Sequence, residues 1–247
     1  MDPTLLIFNT PAEAAQSCGD RTLEILARAR EDRGFAMLAV SGGSTPRLMF
    51  ESMTKRSFDW TAVHIFQVDE RCVPPDHPDS NYRLLRQSLL SGISTDQPEI
   101  HRVKGELSPA DAAREYADEI ARTFRAAGAP SSTVPVFDVI QRGMGPDAHT
   151  ASLFPGEPLN DDQNGIVAAI DGSRAGMEGD KRYRVTLLRG VLEAARHTLC
   201  LATGKEKAAA LAKVLTSPFD PVNLPAQIAS KDMVWYLDKE AASGLNH

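Results

Sequence analysis

Asp147 and His149 stand two residues apart in the run Gly143-Met-Gly-Pro-Asp-Ala-His-Thr-Ala-Ser-Leu-Phe-Pro-Gly156. Histidine takes and returns protons near neutral pH, and a neighbouring carboxylate can orient its ring and stabilise its protonated form. A turn needs glycine for its backbone, but it does not need this pair. The run follows an apolar segment, residues 136–140, so it reads as a loop leaving the end of a strand. Ligands of open α/β sheets bind at that end of the strands, and Gly143 and Gly145 would let one approach the backbone closely.

Two more polar segments follow predicted strands. Ser41-Gly42-Gly43-Ser44-Thr45-Pro46-Arg47 comes after the apolar residues 35–40. Its glycines expose N–H groups and the next helix adds its positive end, so the segment can hold an anion, with Ser44, Thr45 and Arg47 as further donors. Thr45 suits the N-cap of that helix and Pro46 its first position. Asp69-Glu70-Arg71 comes after residues 63–68, and the planar guanidinium of Arg71 can grip a phosphate with two parallel bonds. Lys205 opens a predicted helix, where the macrodipole disfavours a cation unless an anion lies between. Arg184, two residues before Thr186, is a similar candidate. The plain alternatives are a strand-to-helix turn for the first segment and solvated charges for the others.

Sharper motifs fail on inspection. Gly143-Met-Gly145-Pro-Asp-Ala148 fits the loose dinucleotide pattern G-x-G-x-x-A, but it lies in mid-chain, and Pro146 and His149 crowd the turn. Ala39-Val-Ser41-Gly-Gly43 resembles a nucleophile elbow, yet its first glycine is alanine and no His-Gly-Gly segment lies upstream. Gly204-Lys205-Glu206 lacks the residues of a P-loop. No paired-ligand spacing indicates a metal.

These groups need a scaffold, and the chain alternates strand and helix to provide one. Strands are predicted at 5–8, 35–40, 63–68, 135–140, 184–188, 198–202 and 234–237. Helices are predicted at 12–31, from Thr45, and at 81–90, 110–127 and 205–215. Such alternation favours an α/β fold, a mostly parallel sheet with helices on both faces. The polar stretch 161–181 reads as a loop or hairpin insertion, and nothing divides the 247 residues into more than one domain.

The net charge of −6 argues against general nucleic-acid binding but leaves room for a local basic cluster. Cys18, Cys72 and Cys200 are far apart and suit a reducing cytoplasm rather than a disulfide framework. No signal peptide and no membrane span are expected.

Taken together, Ser41-Gly-Gly-Ser-Thr-Pro46, Asp69-Glu-Arg-Cys-Val-Pro74 with Ser80-Asn-Tyr82, and 143–155 resemble the signature segments of the 6-phosphogluconolactonase family, in the family's order. Arg184-Val-Thr186 and Gly204-Lys205 also fit. The related glucosamine-6-phosphate deaminases carry a glutamate near the third segment, where residues 150–155 here have no carboxylate. The resemblance implies a modified Rossmann-like fold of the sugar-phosphate isomerase/deaminase type and hydrolysis of a small phosphosugar lactone. It implies no metal or organic cofactor, and a monomer or small homo-oligomer. His149 would be the general base, and Asp147 or Asp69 its partner or a contact to sugar hydroxyls. Backbone N–H groups of 42–44 or 143–145 would face the oxyanion. Arg71 and Lys205, with Ser44 and Arg47 or Arg184, would hold the phosphate. Two departures stand out: the family usually has glycine where this chain has Ala148, which would be strained if that position needs positive φ, and commonly an apolar residue at the strand end where this chain has Arg142.

Overall fold

The computed structural model describes residues 3–94, 96–128 and 134–245. The ends of the expected unit 1–247 thus lie outside the described residues. The elements, in chain order, are β1 (Thr4–Phe8), α1 (Pro11–Arg33), β2 (Ala36–Val40), α2 (Ser44–Met53), β3 (Val63–Gln67), β4 (Asp69–Arg71), α3 (Asn81–Ser88) and β5 (Glu99–His101). There follow α4 (Pro109–Ala126), β6 (Val139–Arg142), β7 (Val167–Asp171), β8 (Tyr183–Leu187), α5 (Arg189–Ala194), β9 (His197–Ala202), α6 (Ala208–Thr216) and β10 (Met233–Asp238).

Seven strands form one sheet in the order β1-β10-β9-β6-β2-β3-β5, every pairing parallel. From β2 the chain adds strands outward on one side (β3, β5), and from β6 on the other (β9, β10). The order therefore reverses between β2 and β6, and a crevice opens beyond their carboxyl ends, the place where such sheets bind ligands.

β2 is a continuous apolar run, Ala-Met-Leu-Ala-Val, buried throughout, as a strand covered on both faces must be. Leu38 and Val40 join the core under α1, α2 and α3, while Met37 and Ala39 face the core under α4 and α5. A third cluster packs α6 against Cys200, Trp235 and Leu237. α1 starts at a capping box, Thr10 with Glu13, and ends at Gly34 in the left-handed region. Gly19, unfavourable in mid-helix by propensity, lets α2 come close: a Cβ there would lie 3.0 Å from Met53 Cγ and Ser52 Oγ.

Several expectations need correction. Asp69–Arg71 is a strand rather than a loop; it pairs antiparallel with β8, and β8 with β7, making a second sheet of three strands. β7 lies inside the stretch read as a loop or hairpin insertion and pairs antiparallel with β8, so the hairpin alternative is the one observed. β5 is only three residues long, too short to leave a period in the sequence. The strand before the dyad loop is Val139–Arg142, shifted from 135–140, because the Asp138 carboxylate accepts the Met37 N–H at 2.9 Å. α2 begins at Ser44 with Gly43 at its N-cap, so Thr45 and Pro46 are the second and third residues of its first turn. The helix expected from 205 opens with a 3₁₀ turn, Lys205–Lys207, before α6.

Candidate functional site

The crevice encloses a cavity of about 250 Å³ lined by the segments after β2, β6 and β9 and by β4 and β8. Of the sequence candidates, Gly42, Gly43, Ser44, Thr45, Asp69, Arg71, Gly143, Gly145, His149 and Arg184 line it. Arg47 and Lys205 do not; both side chains are exposed, outside the lining. Asp147 stands behind His149. Reasoning from sequence missed Lys207, Thr203, Asn81 and Glu206, all in the lining. A 3₁₀ turn repeats every three residues, so the spacing from Gly204 to Lys207 carried the signal that a helical reading assigned to Lys205.

The dyad is built within one short loop. His149 Nδ1 lies 2.6 Å from Asp147 Oδ1, and the His149 backbone N–H donates to the same oxygen at 3.2 Å. Burial raises the Asp147 carboxyl, but the hydrogen bond and charge of His149 outweigh it and hold the group below its ordinary value. Asp147 is therefore ionised and can only accept, which places the ring proton on Nδ1 and leaves Nε2 as the basic nitrogen. Gly145 makes room for the imidazole: a Cβ there would sit 2.1 Å from His149 Nδ1. The Gly145 N–H donates to His149 O at 2.8 Å, which removes it from the candidate oxyanion donors. The loop closes through Ala148 at φ 70°, a left-handed conformation. Its methyl is buried in the cluster with Met144, Leu211 and Trp235.

The opposite end is cationic and comes from separate segments. No side chain caps α2 at Gly43, whereas α1, α3 and α4 carry Thr10, Ser80 and Ser108 as caps. The first N–H groups of α2 thus open toward the cavity. Thr45 Oγ1 lies 3.0 Å from Thr203 Oγ1, tying this helix start to the segment that carries Lys207. Arg71 and Arg184 are register partners on β4 and β8. Arg71 donates through Nη1 to Asp79 O at 2.6 Å, while its buried Nε makes no hydrogen bond to the described residues. Arg184 lies over the Phe154 ring and 3.8 Å from Asp69 Oδ2. Burial lowers its pKa, with Asp69 opposing, but arginine starts so high that it stays charged.

Two carboxylates frame these groups. Asp69 Oδ2 accepts from Ser152 Oγ at 2.7 Å, and among the described residues no bond joins Asp69 to His149. Glu70 is buried and accepts from Gln67 Nε2, Ser80 Oγ and the N–H groups of Arg71, Asn81 and Tyr82, at 2.7–3.0 Å. Burial raises its pKa against those bonds. It fastens the start of α3 to β4 and so sets Asn81, whose Nδ2 donates to Asp69 O, beside Gly42. A Cβ at Gly42 would lie 2.0 Å from Asn81 Oδ1.

Fold and site define an α/β protein with a crevice at the switch point of a parallel sheet, lined by a histidine hydrogen-bonded to a carboxylate and by clustered basic side chains. Residues 9–235 match the family described as glucosamine-6-phosphate isomerases/6-phosphogluconolactonase, and the chain belongs to that family. The 6-phosphogluconolactonase of Rattus norvegicus is 34% identical over 248 residues, covering 96% of this chain and 91% of the rat protein. The solved 6-phosphogluconolactonase of Trypanosoma cruzi superposes with a TM-score of 0.84 at 30% identity, covering 100% of this chain and 99% of that one. A monomeric glucosamine-6-phosphate deaminase, 18% identical, superposes with a TM-score of 0.78 over 98% of this chain and 99% of its own, and shares the fold.

Proposed function

We propose that the chain hydrolyses 6-phospho-D-glucono-1,5-lactone to 6-phospho-D-gluconate, in the oxidative branch of the pentose phosphate pathway. The observation that carries this reading is the Asp147–His149 pair, 2.6 Å apart, facing a crevice whose other end is cationic. His149 Nε2 takes a proton from water as the water oxygen bonds to the lactone carbonyl carbon. The tetrahedral anion forms beside positive charge, which stabilises it. As it collapses, the bond to the ring oxygen breaks and His149 returns the proton to that oxygen. Asp147 holds the ring and balances its charge; Asp69, bound to Ser152 and Arg184, is left to meet sugar hydroxyls. The phosphate fits at the start of α2 with Lys207, Arg71 and Arg184, and this anchoring positions the carbonyl before His149. Residues 150–155 offer no carboxylate for deaminase chemistry, and the Ser152 hydroxyl is committed to Asp69.

The chain would act as one domain, as a monomer or small homo-oligomer, in the cytoplasm; its three cysteines are unpaired. Among the described residues, no helix is long and apolar enough to cross a membrane. The test is turnover of freshly generated lactone above the spontaneous rate, run beside ammonia release from glucosamine 6-phosphate. Lactone turnover without ammonia is expected. Ammonia release, or product binding with no turnover, would sink the proposal.

A further inference from the structure

At the far edge of the large sheet lies a second cluster of ligating groups, none of which lines the crevice. His64 on β3 and Glu99 on β5 are register partners, and Glu99 and His101 are alternate residues of one strand, so all three project to the same face. His64 Nδ1 is 3.0 Å from His101 Nε2 and 3.5 Å from Glu99 Oε2, and one donor atom from each of the three lies within 4.8 Å of the others.

The outer contacts prepare these atoms. His101 Nδ1 lies 2.6 Å from Glu119 Oε1 and 3.3 Å from Thr123 Oγ1, both on α4. Glu119 accepts that hydrogen bond as a carboxylate. The His101 proton therefore sits on Nδ1, and the Nε2 lone pair points at His64. A carboxylate fixing the far nitrogen is the arrangement that supports metal-ligating histidines. Stacking of His101 on Phe66, at 4.4 Å between centroids, holds the ring in place. Two nitrogens about 2.0–2.1 Å from a tetrahedral ion stand roughly 3.3 Å apart, so the pair must widen by a few tenths of an ångström and the rings must turn so that each lone pair meets the ion.

We propose that His64 Nδ1, His101 Nε2 and the Glu99 carboxylate form a binding site for a divalent transition ion of the zinc type, with water as fourth ligand. On binding, neutral His64 carries its proton on Nε2 instead of Nδ1, with no net proton released. The ion cross-links β5, an edge strand held to β3 by three register pairs, to the sheet.

The test uses metal-stripped full chain and Zn²⁺ alone, by calorimetry, with the visible spectrum of Co²⁺ as a second probe. One saturable site per chain and the absorption of four-coordinate Co²⁺ are expected. At free zinc one hundred times Kd, Tm should rise by roughly 5 °C or more. His101→Gln and Glu99→Gln should each weaken binding at least about tenfold, as losing a ligand or its support does. Glu99, whose side chain is 68% exposed, gives a variant that decides the matter even if His101→Gln fails to fold. His149→Ala should bind zinc as the parent does. No saturable uptake, uptake unchanged in Glu99→Gln, or uptake lost in His149→Ala would each overturn the site.

Discussion

The two ends of the crevice are assembled in opposite ways. At one end, Asp147, His149 and Gly145 come from a single loop, and the contact that matters spans two residues of sequence. At the other, the start of α2, Arg71, Arg184 and Lys207 come from four segments that meet only because β4 pairs with β8 and Thr45 meets Thr203. A local device depends on loop conformation. A distributed one depends on topology, and each of its members contributes a part of the whole.

That difference should appear in kinetics. Removing His149 takes away the only imidazole that lines the crevice among the described residues, so His149→Ala should lower kcat by roughly 10²–10⁴ with KM little changed. Asp147→Asn should give a smaller loss of the same kind, since the ring stays but its support weakens. The pH profile adds a second reading. The Asp147 carboxyl sits below its ordinary value, so it stays ionised as acid is added and gains a proton only when pH falls through that lowered value. Its stabilising contribution is thus present above the unfolded-state pKa and lost only below it. Full kcat in His149→Ala would break the comparison outright.

The cationic end should behave otherwise. Lys207→Ala should raise KM by roughly 10–100-fold, the worth of one charge-assisted hydrogen bond, and leave most of kcat. Lys205→Ala, altering an exposed residue outside the lining, should change KM by less than about twofold. Equal effects from the two lysines would show that the 3₁₀ turn does not sort them.

How well each end could be read from sequence follows from the same contrast. The dyad was legible because its spacing is its geometry. The start of α2 was legible because a glycine pair before a helix has few other uses, although the expected cap at Thr45 was two residues too deep. Lys207 was not, because a 3₁₀ turn and an α-helix aim successive residues differently. The partner of His149 stayed open between Asp147 and Asp69 until Asp69 was found pairing with β8 and bound to Ser152. The parallel sheet was foreseeable from alternating elements. The second sheet was not, because β4 is only three residues long and its partner β8 is remote in sequence, while β7 lies among polar residues.

Ala148 offers the smallest and sharpest test of the local end. At φ 70° an L-residue costs about 1–2 kcal/mol that glycine does not, which explains why relatives are expected to prefer glycine there. Ala148 is 2% exposed, packed against Met144, Leu211 and Trp235, and burying one methyl returns about 0.8 kcal/mol. Glycine also gives the unfolded chain about 0.4–1 kcal/mol of extra entropy. The opposing effects nearly cancel, so Ala148→Gly should change stability by less than about 1 kcal/mol, a Tm shift within roughly 4 °C. Because the Asp147–His149 contact brackets this residue, kcat should also hold within a few-fold. A loss above about 2 kcal/mol in a thermal melt would mean that packing, rather than backbone conformation, governs this position. Normal stability with a large fall in kcat would mean that the alanine itself sets the angle between carboxylate and imidazole.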